Sequence, residues 1–168
     1  AIASVRFPNS PVYIGATANA NMTIGLTIDQ GANDNEILAL KSSDVAHGMT
    51  SVTETDTYGF MRKGSATDGG LQVAGLRDTG TQALDLSGVG VTPDSSSGMA
   101  TTRHGVVIID AFKKSGTITQ ALAADELILT IENAGTTRFG MDADGDSFQD
   151  VGTAWTNYSE HDDVGLLQ

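Results

Sequence analysis

The chain contains no cysteine in its 168 residues. Disulfides, thiolate metal sites and cysteine nucleophiles are therefore excluded. Aromatic residues make up only 5% of the composition, with a single tryptophan, Trp155. Val, Ile, Leu, Ala and Met must then supply the apolar interior. Positive charge is also scarce, with 9 Lys and Arg against 21 Asp and Glu, for a net charge of -12 and a pI near 4.3. Binding to nucleic acid needs Lys and Arg to replace counterions at phosphates, so this balance disfavours it. Anionic membrane surfaces are disfavoured for the same reason. No apolar run approaches the roughly 20 residues that span a bilayer as a helix. The first residues, "AIASVRFPNSP", include neither an initiator Met nor a signal-peptide apolar region, so a trimmed, processed or excised chain is expected.

Glycine, by contrast, is abundant at 20 residues, and Thr, Ser, Asn and Asp recur throughout. These residues favour many turns and short strands over long helices. "NMTIGLTIDQG" alternates Met22, Ile24, Leu26 and Ile28 with smaller or polar residues, the period of a half-buried strand. "ASVRF", "NEILALKS", "DTYGFMRKG", "GGLQVAGLRD", "QALDLSGVGV" and "ELILTIEN" are further strand candidates. In "HGVVIIDAFKK" the contiguous run Val106 to Ile109 predicts a strand buried on both faces. Weak helical propensity is confined to Gln120–Glu126 and to a C-terminal segment that Ser159 would cap. The expected fold class is all-β: an antiparallel sandwich, jelly-roll-like or fibre-type domain of nine or ten short strands, with short helical segments at most. One domain over residues 1–168 is expected, in which 136–168 can form a distinct acidic hairpin and tail.

The chemistry concentrates in "TRFGMDADGDSFQDVGT". Asp142, Asp144, Asp146 and Asp150 occupy positions 1, 3, 5 and 9 of a calcium-loop pattern, and Phe148 would offer its carbonyl at position 7. Calcium takes six to eight hard oxygen ligands, which alternate residues of a tight loop can direct at one point. Against this, Ser147 stands where the sharp turn wants glycine, and Thr153 where a bidentate Glu belongs. The competing reading is a β-hairpin whose tight turn is Asp144-Gly145, a favoured type I′ pair. The aspartates would then be edge charges that discourage sheet-to-sheet aggregation. Both readings stand at this level.

No catalytic residue is assigned. Ser42, Ser43, Asp44 and His47 cluster in "KSSDVAHGM", but no nucleophile-elbow context surrounds them. His104 reads as a partly exposed sheet residue, and His161-Asp162-Asp163 as a solvated acidic cluster. A paired-carboxylate glycosidase has no pair that the spacing selects. Tyr58, Trp155 and Tyr158 are candidate binding residues, since an aromatic face can pack against a sugar ring.

Two stretches, "EILALKSSDVAHGMTSVTETDTYGFMRK" from Glu36 and "TTRFGMDADGDSFQDVGTAWTNYSEHDDVGLL" from Thr136, resemble segments of virion structural proteins of tailed bacteriophages. The resemblance rests on Thr137-Arg138-Phe139, Asp144-Gly145, Tyr158, His161-Asp162-Asp163 and Leu166-Leu167. It implies a non-enzymatic head fibre, decoration protein or tail appendage on the virion surface, docked on capsid or tail proteins. It also implies a homo-oligomer, with a trimer favoured, and carries no catalytic residues. The lack of cysteine agrees with a bacterial or phage product. A Gly-rich, aromatic-poor β chain also gains from burying its edges between copies, and Gly64–Gly90 is the segment expected nearest an assembly axis. The alternative is a calcium-stabilised β-sandwich adhesin or carbohydrate-binding module.

Overall fold

A computed structural model describes residues 7–95, 98, 100 and 102–150, together with the backbone of 155–158. The chain is all-β, with eleven strands in four short sheets and no helix among the described residues. It divides into two compact units, Ala1–Ser87 and Gly88–Gln168.

The first unit holds β1 (Val12–Ile14), β2 (Leu26–Ile28), β3 (Leu38–Lys41), β4 (Thr57–Ser65) and β5 (Gly69–Gly75). β1 and β2 form a small parallel pair, whereas β3, β4 and β5 form an antiparallel sheet with β4 at its centre. On one face of that sheet Phe60 lies between Ala39 and Ala74 in the ladder. Two small neighbours leave room for the ring, and the Arg62 guanidinium covers it at 5.0 Å from the centroid. Phe60 is only 2% exposed, and with Leu76 it makes up the buried apolar core of the described residues. The opposite face carries the rows Leu38–Met61–Val73 and Leu40–Gly59–Gly75.

The long connection from β3 to β4 is held by His47, which is buried. Its Nε2 lies 2.9 Å from the Thr57 carbonyl, and its Nδ1 accepts the Met49 N–H at 3.0 Å. An Nδ1 that accepts requires the proton on Nε2, so the ring is the Nε2–H tautomer.

The second unit contains the hairpin of β6 (Lys113–Ser115) and β7 (Ile118–Gln120), and a four-stranded sheet in the order β11-β10-β9-β8. Its strands are β8 (Leu127–Asn133), β9 (Thr136–Asp142), β10 (Ser147–Asp150) and β11 (Trp155–Tyr158), all antiparallel. Among its described residues no apolar side chain is fully buried.

Several segments depart from the expected pattern. The strand expected over 21–31 shortens to β2, because residues 19–22 form a turn: the Met22 N–H reaches the Asn19 carbonyl at 3.2 Å, and the Asn19 side chain caps Asn21 at 3.0 Å. Around Gln120–Glu126 there is no helical turn; β7 runs into a bend in which Asp125 has φ +63. The largest departure is the run Val106–Ile109. It forms no strand and stays open, from 46% exposed at Val106 to 65% at Ile109. An apolar run signals burial but not what buries it, and within the described residues no neighbouring strand pairs with this one. "QALDLSGVGV" likewise stays outside the sheets, with Val89 and Val91 fully exposed. The expected strand at 3–7 and helix from Ser159 lie outside the described residues, apart from Phe7.

Candidate functional site

Two features of the chain carry its chemistry: open apolar surface in both units, and a carboxylate cluster at one end of the second unit's sheet.

The apolar surface of the first unit is the face that carries Leu38, Leu40, Met61, Leu71 and Val73, all exposed. Ala83 and Leu84 cross it. They run over Gly75, where a Cβ would lie 2.1 Å from the Ala83 carbonyl oxygen. Gly75 is thus needed for a close approach within the chain itself. The glycines expected near an assembly axis therefore include one that the chain's own backbone covers. Beside this crossing an apolar groove of about 210 Å³ remains, lined by Leu38, Leu40, Met61, Val73 and Leu84.

The carboxylate cluster begins with the hairpin of β9 and β10, which the Asp-Gly step announces. Its turn is not the two-residue type I′ that this step suggests. Type I′ needs positive φ at both central residues, and here Gly145 alone has it, at +100. The Asp142 N–H instead reaches across to the Asp146 carbonyl at 3.0 Å, closing a three-residue loop. Asp142 organises that loop. Its Oδ1 accepts the N–H groups of Gly145 at 3.2 Å and Asp146 at 2.8 Å. The residue is 1% exposed, and its Oδ2 is buried without a hydrogen-bond partner. Burial pushes the Asp142 carboxyl above the ordinary aspartate range. The adjoining Asp144 carboxyl pushes the same way, and the Asp146 N–H opposes both.

The five residues of the calcium-loop reading are not all brought together. Asp142 and Asp144 stay together, and Asp146 lies close enough for its charge to act on Asp142. Phe148 sits in the ladder opposite Gly140, and Asp150 forms an ion pair with Arg138. The third carboxylate of the cluster is Asp125, from the bend before β8. Leu127 pairs with Asp142 in the β8–β9 ladder, and this places Asp125 beside the turn.

Of the aromatic candidates, Tyr58 lies exposed on β4 of the first unit. Trp155 and Tyr158 belong to β11 of the second, opposite Asp150 and Ser147. Ser42, Asp44 and His47 do not form a relay: the Ser42 hydroxyl donates to Asp44, while both His47 nitrogens are engaged by backbone groups. No protein-family model matches the chain, and no curated protein or solved structure is significantly similar to it.

Proposed function

We propose that this chain is a non-enzymatic structural protein that works by associating with further copies of itself, as a head fibre, decoration protein or tail appendage on the surface of a tailed-phage particle. The observation that carries the assembly reading is the imbalance of apolar burial. Among the described residues twenty-five large apolar side chains are exposed, and two, Phe60 and Leu76, are buried. Scattered exposed Leu or Val residues are ordinary, but contiguous ones such as Val106–Ile109 mark an interaction surface. The exposure occurs in both units. Apolar surface on each unit gives further copies of the chain something to cover, as an interlocked assembly requires. The virion setting draws its support from the resemblance of the two segments from Glu36 and Thr136 to phage structural proteins.

Light scattering on a sizing column tests this directly. A single species at three times 17.4 kDa is the expected result. A monomer that stays monomeric as its concentration is raised would remove self-association, and with it this reading.

A further inference from the structure

We infer that the carboxylates of Asp125, Asp142 and Asp144 together bind a hard divalent cation, calcium, at the end of the second unit's four-stranded sheet. Each residue offers one oxygen, and the three oxygens lie within 4.8 Å of one another. Two oxygens on the same calcium stand no farther apart than twice the bond length, about 4.6–5.2 Å. The three are therefore already spaced as co-ligands.

Proximity of carboxylates alone would not make a site, because acidic clusters are common on a chain of net charge -12. The independent observation is Asp142 Oδ2. Asp142 is 99% buried, counted from its 1% exposure, and this oxygen has no donor. Its twin, Oδ1, is saturated by the Gly145 and Asp146 N–H groups, which also fix the direction of the carboxylate. A buried anionic oxygen with nothing to meet it is unfavourable, and a cation is the partner that answers it. Two basic side chains of the second unit are already committed to other carboxylates. Lys113 binds Glu126 through both carboxylate oxygens, at 3.0 and 2.9 Å, and Arg138 pairs with Asp150. Asp125, Asp142 and Asp144 form no ion pair among the described residues.

The chemistry favours calcium over softer metals. Every donor is a carboxylate oxygen, and neither His nor Cys takes part. Asp125 and Asp144 are exposed, so water can complete the six to eight oxygens that calcium takes. The ligand set is not the sequential loop of Asp142 to Asp150. It joins two separate segments through the β8–β9 ladder, so the ion would tie the bend before β8 to the turn after β9.

The competing state is a proton shared between Asp142 and Asp144, and calorimetry separates the two. The full chain, stripped with EDTA and desalted, is titrated with calcium chloride at neutral pH, and its melting temperature is recorded with and without the ion. One calcium per chain is expected, with a Kd in the micromolar-to-millimolar range, and the melting temperature should rise. Asp125→Asn and Asp144→Asn change exposed residues and leave the Asp142 turn intact. Each should weaken calcium by about 10-fold or more, since affinity follows the number of charged ligands. Asp150→Asn should leave it within about 2-fold, because that residue supplies no ligand. Absence of heat and of any thermal shift through the millimolar range overturns the proposal. Wild-type affinity in Asp125→Asn together with loss in Asp150→Asn also overturns it, and returns the ion to the 142–150 loop. Tighter binding of magnesium chloride than of calcium chloride overturns the choice of ion.

Discussion

Met61 lies directly opposite Val73 in the β4–β5 ladder, and both side chains are open to solvent. Leu38 extends the same row from β3. Cross-strand neighbours of this kind are where sheets gain packing energy, yet among the described residues little covers this row. Val73→Lys puts a charge at the centre of the face. At an exposed position the isolated chain should change by no more than about 0.5 kcal/mol. Assembly should suffer far more, with the particle mass falling toward 17.4 kDa at concentrations where the parent is associated. A mutant with the parent's mass would show that another surface carries the contact.

Gly75 behaves differently, because its neighbour is intramolecular. A methyl group there would stand 2.1 Å from the Ala83 carbonyl oxygen, with Leu84 Cα also within contact at 3.6 Å. Backbone cannot swing aside as a flexible side chain can. Gly75→Ala should therefore lower the stability of the chain itself by about 1–3 kcal/mol, the range for overpacking. Urea denaturation of the dilute, dissociated protein measures this. An unchanged midpoint would mean that residues 83–84 do not run over β5.

How much of this was legible in the sequence depends on what each signal reports. The Asp-Gly step, a local property of the chain, offered the hairpin of β9 and β10 as one of two readings, although the loop that closes it has three residues and is not type I′. The β8–β9 hairpin was hidden, because its turn is Ala134-Gly135 and alanine does not advertise positive φ. That missing turn also hid Asp125. From the Asn133–Thr136 pair the ladder passes through two offsetting register shifts to Leu127 opposite Asp142, and Asp125 comes next to the turn. The run Val106–Ile109 was read as a strand buried on both faces, because periodicity records apolarity and takes a partner for granted. His47 looked like part of a polar cluster; its role, bonding to the Met49 and Thr57 backbone, depends on a loop closure that sequence spacing does not show.

The turn after β3 gives a pH-dependent prediction. The Ser42 hydroxyl holds the Asp44 carboxyl below the ordinary aspartate value, and the residue's own N–H adds to the effect. A carboxyl whose pKa is lower in the folded state contributes stability above its unfolded value, and the contribution is lost as pH falls through the folded value. Ser42→Ala removes the larger cause. The Asp44 pKa, followed by carboxyl-carbon NMR, should then rise toward the ordinary aspartate value. Because Asp44 is exposed, the accompanying change in acid stability should be small. A pKa unmoved by the substitution would show that the Ser42 hydroxyl does not donate to Asp44 in solution.

The two-residue turn between β8 and β9 offers a gain in stability. Ala134 has φ +49 and Gly135 φ +77, so both central residues adopt the left-handed conformation that a type I′ turn demands. For an alanine this conformation costs about 1–2 kcal/mol, because its Cβ crowds the following carbonyl. Asparagine tolerates it, and Asn-Gly is a favoured pair for this turn. Ala134→Asn should therefore stabilise the chain by about 0.5–1 kcal/mol, part of the strain it relieves. The expected signature is a higher urea midpoint at an unchanged m-value. A lower midpoint would show that residues 133–136 do not form this turn, and the ladder that brings Asp125 to Asp142 would then lose its register.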